Sequence, residues 1–227
     1  MNYNYLPTAD SQADYRNRRS KDVRDEKIVG DYLDAYFYPT FTTSTTRNTD
    51  KALQIAGLDI SATHPNGYKF TIDEKAATRW AGRNLQTFAH EINSINVAGQ
   101  LYDGWLLDFN SASEWLVEVW IDGINSTDGK LHDYTNITDA TIVLIYKQDL
   151  YNYLRKKNIS SNSLKAVASN LRMMNKPSEY YNGFKITHQM NYQEHACNIL
   201  IPRDTLINTI SRYAVQIKNG QITIFKK

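Results

Sequence analysis

The chain has 227 residues, 41% hydrophobic and 22% charged, with 26 Lys/Arg against 24 Asp/Glu; these figures exclude a disordered or fibrous chain and suit one elaborated domain with a substantial core. One cysteine, Cys197, excludes an intrachain disulfide. The opening residues lack a basic-then-apolar signal pattern and no apolar run reaches the length of a membrane span, so a cytosolic protein that does not enter a membrane is expected.

Residues 1–20 are polar, with Arg16, Arg18 and Arg19 clustered, and read as a flexible arm before a single domain at 21–227. From Lys21 to Phe37 the apolar residues Val23, Ile28, Val29, Leu33, Tyr36 and Phe37 recur at three- and four-residue intervals, predicting an amphipathic helix that ends before Pro39. After a Thr/Ser-rich connection, Ala52 to Ile60 leads into a first core strand with Asp59 at its end. A turn at His64-Pro65-Asn66-Gly67 delivers the chain into a second strand, Tyr68 to Ala76. Leu85 to Ile92 is a further strand. Gly104–Asp108 and Glu114–Ile121 read as a strand pair joined by residues 109–113, with Trp115, Val117, Val119 and Ile121 on one face and Leu116, Glu118 and Trp120 on the other. The β-branched run 140–146 is predicted to be an interior strand.

Lys147–Lys157 and Leu164–Met174 follow as amphipathic helices, the second capped by Ser160-Ser161. Phe184–Met190 and His195–Ile201 are candidate strands. Asp204 is placed to start a helix running to Tyr213, and Asn219-Gly220 to turn a C-terminal hairpin.

Side chains alternate along a strand, so Asp73 and Lys75 leave one face of the second strand and Glu74 the other. A carboxylate on each of two neighbouring strands, Asp59 and Asp73, with an ammonium beside one of them, is a candidate site for a hard divalent cation and a phosphate. The competing reading is an Asp73–Lys75 ion pair on an exposed sheet face, worth under ~1 kcal/mol.

The G-L-D-I segment around Asp59, followed by Asp73-Glu74-Lys75 and a Trp-rich pair of strands, resembles the PD-(D/E)XK nuclease superfamily over roughly residues 25–121, with Leu58 where the motif has proline. The resemblance implies an α/β (α+β) fold with a restriction-endonuclease-like core at about 21–157. That core is a central mixed β-sheet flanked by helices, with a helix/strand elaboration at about 158–227. It implies catalytic Asp59, Asp73 and Lys75, and Mg²⁺ or Mn²⁺ held by Asp59, Asp73 and the backbone carbonyl of Glu74. An acid from the preceding helix joins the site in such a family; Glu26 is the candidate, with Asp31 and Asp34 as alternatives. The implied activity is hydrolysis of phosphodiester bonds in nucleic acid, DNA foremost, and a homodimer is compatible with it. The alternative is a module of the same fold that binds nucleic acid or protein and cleaves nothing.

Charge is unevenly spread. Residues 50–139 hold thirteen acids against six Lys/Arg, whereas 147–185 hold eight Lys/Arg against two acids. Within the basic stretch, Arg155, Lys156, Lys157, Lys165 and Arg172 are the candidate contacts to nucleic-acid phosphates. The five histidines show no metal-ligand spacing, and no phosphate-binding or dinucleotide glycine motif occurs. His195 and Cys197 lie two apart on a candidate strand, which leaves a Cys–His nucleophile pair or, more simply, a core cysteine.

Overall fold

A computed structural model describes residues 9–96, 98–108, 111–192 and 194–226; the side chains of 9–13, 15, 51 and 55 are not described. In chain order the elements are α1 (Ala9–Tyr32), β1 (Ser44–Arg47), α2 (Lys51–Ile55), β2 (Ile60–Thr63), β3 (Lys69–Ala76), β4 (Thr87–Ile95), β5 (Leu101–Asp103), β6 (Trp115–Ile124), β7 (Ile137–Tyr146), α3 (Lys147–Lys156), α4 (Ser161–Met173), β8 (Ser178–Tyr181), β9 (Phe184–His188), β10 (Cys197–Pro202), α5 (Arg203–Thr205), β11 (Tyr213–Lys218) and β12 (Gln221–Lys226). No helix among the described residues is long and apolar enough to cross a membrane.

The chain separates into two compact units where the sequence reading has one domain. The first comprises the segment ending at Ser20, Thr87–Phe109 and Asn152–Pro202; the second comprises Lys21–Gln86, Asn110–Tyr151 and Arg203–Lys227. The chain therefore passes between units after Ser20, Gln86, Phe109, Tyr151 and Pro202.

The second unit is built on a seven-stranded mixed sheet in the order β1-β2-β3-β6-β7-β11-β12. β3 and β6 run parallel and the other neighbours antiparallel. The β2–β3 hairpin forms as predicted, with Ile60 opposite Ile72, because the Pro-Asn-Gly turn joins two alternating segments. One face of this sheet carries Ile60, Phe70, Ile72, Val117, Val119, Ile142, Val215 and Ile217, all buried against Ile28, Val29, Tyr32, Leu33 and Phe37. These helix residues recur at three- and four-residue spacing and so face the sheet together. The first unit holds a five-stranded antiparallel sheet, β5-β4-β10-β9-β8, with α4 packed on β4 and β9 through Leu164, Ala168 and Leu171.

Four local expectations are corrected. The helix α1 begins at Ala9, so an extended arm covering all of 1–20 does not hold; residues 1–8 lie outside the described residues. The approach to Asp59 is not a strand: Asp50 accepts the Ala52 N–H at 2.7 Å and caps α2, and Gly57 at φ +72° then turns the chain. Asp59 consequently heads β2 and does not end a strand. Residues 105–107 form a turn, with Leu106 and Leu107 buried as an adjacent pair, and β6 pairs with β3 and β7 instead. Tyr213 opens β11, after a short helix that ends at Ile210.

Candidate active site

Asp59, Asp73 and Lys75 converge on one side of the second unit's sheet. β3 supplies two of them by alternation: Ile72 and Glu74 face the α1 side, while Asp73 and Lys75 face the other. Lys75 Nζ donates to Asp73 Oδ1 in a close ion pair, with side chains 27% and 2% exposed. The pair is not the exposed, weakly coupled contact of the competing reading, because its carboxylate is out of water. Asp59 is fixed by backbone at both ends, its N–H donating to the Ile72 carbonyl at 3.0 Å and its carbonyl accepting from Asn48 at 2.8 Å. Its Oδ2 accepts the Glu74 N–H at 2.8 Å, so the two acids are tied through one peptide unit of β3.

The electrostatics are those of crowded carboxyls beside a cation. Burial pushes the Asp59 carboxyl up, the Lys75 ammonium pulls it down, Asp73 pushes it up again, and the result is a pKa of about 7. For Lys75, burial pulls the ammonium down, but Asp73, Asp59, the hydrogen bond to Asp73 and Glu26 together outweigh it and raise the pKa. Lys75 is therefore cationic at neutral pH. Glu26 lies on α1, is exposed, and acts on Lys75 through space.

Glu74, although next in sequence, is committed elsewhere. Its carboxylate accepts from Arg47 at 2.7 Å and from the Tyr38 hydroxyl, and Arg47 also binds Asp34 at 2.6 Å and the Gly30 carbonyl at 2.6 Å. Only the backbone carbonyl of Glu74 is left for the role given to it above. Asp34, an alternative helix acid, is likewise spent on Arg47, and Asp31 pairs with Lys27 at 2.7 Å.

Sequence reasoning missed a second lysine. Lys147 follows β7 directly, and alternation places it on the same face as Val143 and Ile145, hence on the Asp73 side. Its Nζ donates to Ser111 Oγ at 2.6 Å and Ser113 Oγ at 2.7 Å and lies 4.0 Å from Asp73 Oδ2, with the side chain 9% exposed. Gly57 makes room for this arrangement: a Cβ there would stand 2.7 Å from Ser111 Oγ and 3.4 Å from Asp73 Oδ2. Glu118, fully buried on β6, is the register partner of Lys75. The signal for Lys147 lies in the β7 alternation, but the sequence reading has the residue only as the start of a helix.

Among the described residues no three His, Cys, Asp or Glu side chains gather into a group that could hold a metal. The donor set at this site is two carboxylates, which is the number Mg²⁺ takes from protein while keeping water and phosphate oxygens as its other ligands. Asp59 Oδ2 holds the Glu74 N–H and Asp73 helps raise the Asp59 pKa, so the two carboxyls act on one another, and the chemistry of this all-oxygen donor set fits a hard dication.

The basic candidates belong to the first unit. Arg155, Lys156 and Lys157 are exposed, while Lys165 is paired with Asp103 at 2.7 Å. Arg172 is a correction: it is only 9% exposed and donates to the Asn93 carbonyl at 3.0 Å and the His195 carbonyl at 2.9 Å, holding β4 to the chain before β10. Cys197 is fully buried, and that burial pushes its thiol up to about 11, so the core-cysteine reading is the one that stands. No family model, curated protein or solved structure matches this chain.

Proposed function

We propose that the second unit carries the centre of a metal-dependent nuclease that hydrolyses phosphodiester bonds in nucleic acid, with DNA as the expected substrate. The observation that carries this reading is the convergence of Asp59, Asp73 and Lys75 from β3 and the head of β2, with the ammonium paired to a carboxylate that is 2% exposed.

Asp59 and Asp73 would hold Mg²⁺ or Mn²⁺, with the Glu74 carbonyl as a further oxygen. Such an ion, when bound, polarises a phosphoryl oxygen and acidifies water. The chain's own groups do the rest. Lys75, cationic at neutral pH, is suited to stabilise negative charge building on the phosphate and not to abstract a proton. Asp59, with its pKa raised to about 7, carries its full charge only above neutral pH. Arg155, Lys156 and Lys157 provide exposed cations for backbone phosphates. A non-cleaving binding module is the second reading, and the ammonium of Lys147 beside Asp73 is the observation in its favour.

The test is incubation of linear, supercoiled and single-stranded DNA, and of RNA, with wild type and Lys75→Ala in Mg²⁺ or Mn²⁺. Cation-dependent cleavage that falls by roughly 10²–10³-fold in the variant, the loss typical of removing one transition-state charge partner, supports the nuclease. Equal inertness of both proteins with retained nucleic-acid binding supports the binding module.

A further inference from the structure

The buried Asp73 carboxylate has an ammonium opposite each oxygen, Lys75 at Oδ1 and Lys147 toward Oδ2. The two lysines differ in how they are held. Lys75 is 27% exposed and reaches Asp73 from two residues along the same strand. Lys147 comes from the end of β7, is 9% exposed, and is clamped by two serine hydroxyls that accept its hydrogen bonds. Those serines sit 3.2 Å apart on the segment leading into β6, and the missing Cβ of Gly57 lets that segment close on Asp73. This is a built cradle for a cation, made from three separate parts of the chain.

We propose that Lys147 is the resident counter-cation of Asp73, that it competes with a divalent ion for Oδ2, and that metal and phosphodiester consequently bind cooperatively. The proposal rests on the metal-dependent reading above and adds to it how the site is loaded. Like charges within a few ångströms repel strongly in a partly desolvated site, so a dication placed beside two ammonium groups is disfavoured. A phosphodiester brings the negative charge that makes three cations tolerable, and it offers Lys147 an alternative partner. Coupling of this kind is reciprocal: whatever factor the oligonucleotide adds to metal affinity, the metal adds to oligonucleotide affinity.

The test measures Mn²⁺ binding by electron paramagnetic resonance, alone and with a non-hydrolysable phosphorothioate oligonucleotide, for wild type, Lys147→Gln and Asp59→Asn. Gln retains a donor for the serines and removes the charge. In wild type the oligonucleotide should tighten Mn²⁺ binding by roughly 5- to 150-fold, the usual range of coupling between sites. Lys147→Gln should bind Mn²⁺ alone about tenfold more tightly than wild type and show weaker coupling. If Lys147→Gln binds Mn²⁺ no better than wild type, Lys147 is not a competitor and the proposal fails while the metal site survives. If the variant does not fold, the wild-type pair of measurements still decides: equal Mn²⁺ affinity with and without oligonucleotide overturns the proposal. If wild type binds no Mn²⁺ under either condition, or Asp59→Asn binds it equally well, it is the underlying metal-site reading that falls.

Discussion

Asp73 and Glu74 are neighbours in sequence and opposites in environment. Glu74 is met by Arg47 and Tyr38 in a network that extends to Asp34 and Gly30, so its charge and its oxygens are satisfied by groups of matching geometry. Asp73 faces another acid, Asp59, whose carboxyl is pushed up to about 7, and two lysines drawn from different elements. The first arrangement is what a fold does with a carboxylate it needs for structure. The second keeps unlike and like charges close without resolving them, the pattern that candidate reaction centres share. Two adjacent residues of one strand thus separate a satisfied ion pair from a crowded one.

That contrast can be broken by mutation. The largest stability change is expected on the Glu74 side: Glu74→Ala leaves Arg47 and Tyr38 without their shared acceptor and should cost about 2–3 kcal/mol in a urea melt. It should leave any cleavage per folded molecule nearly unchanged. A loss of activity without loss of stability would show that Glu74 belongs to the reaction centre after all.

On the Asp73 side the expected signature is in pH. Asp59 has a folded pKa of about 7, raised from 3.8, so the folded state holds a proton there that the unfolded chain releases. The sign follows: this site's contribution is full below about pH 4 and is lost as pH rises through 7. Asp59→Asn keeps an acceptor for the Glu74 N–H and removes the titration, so its melting temperature should exceed that of wild type at pH 8 and approach it at pH 5. Identical pH profiles for the two proteins would mean that the carboxyl is not strained. The smallest effect is expected in the first unit. Lys165→Ala removes an exposed partner of Asp103 in the first unit and should shift stability by less than about 0.5 kcal/mol.

What was legible in the sequence divides along physical lines. The β2–β3 hairpin and the opposite facing of Glu74 follow from turn residues and from a period of two, which are local rules. The buried β6 and β7 were marked by β-branched and aromatic runs. Of the fold expected from the motif, the coarse class is met: a central mixed sheet flanked by helices. The misses are non-local. Gly104–Asp108 is apolar enough for a strand, yet Gly104 lies so close to Glu91 that a Cβ would stand 2.5 Å from its carbonyl oxygen, and the chain turns there. The five-stranded sheet pairs β4 with β10, segments separated by a hundred residues of sequence that no local pattern could join. Arg172 reads as a phosphate contact and Lys147 passes without a role because long side chains reveal nothing about the carbonyls or hydroxyls waiting inside.

The repeated passage of the chain between units bears on how the molecule comes to exist. β10, the last strand of the first unit, ends at Pro202, but the second unit closes its sheet only when β11 pairs with β7 and β12 with β11. During synthesis the chain therefore emerges with the candidate centre's residues long exposed before the sheet that supports them can be completed. A released chain ending at Pro202 would hold every strand of the first unit and leave β7 as an open edge of the second unit's sheet. Neither unit is one uninterrupted stretch of chain, and the β11–β12 hairpin is linked to Asp73 and Lys75 on β3 through β7 and β6.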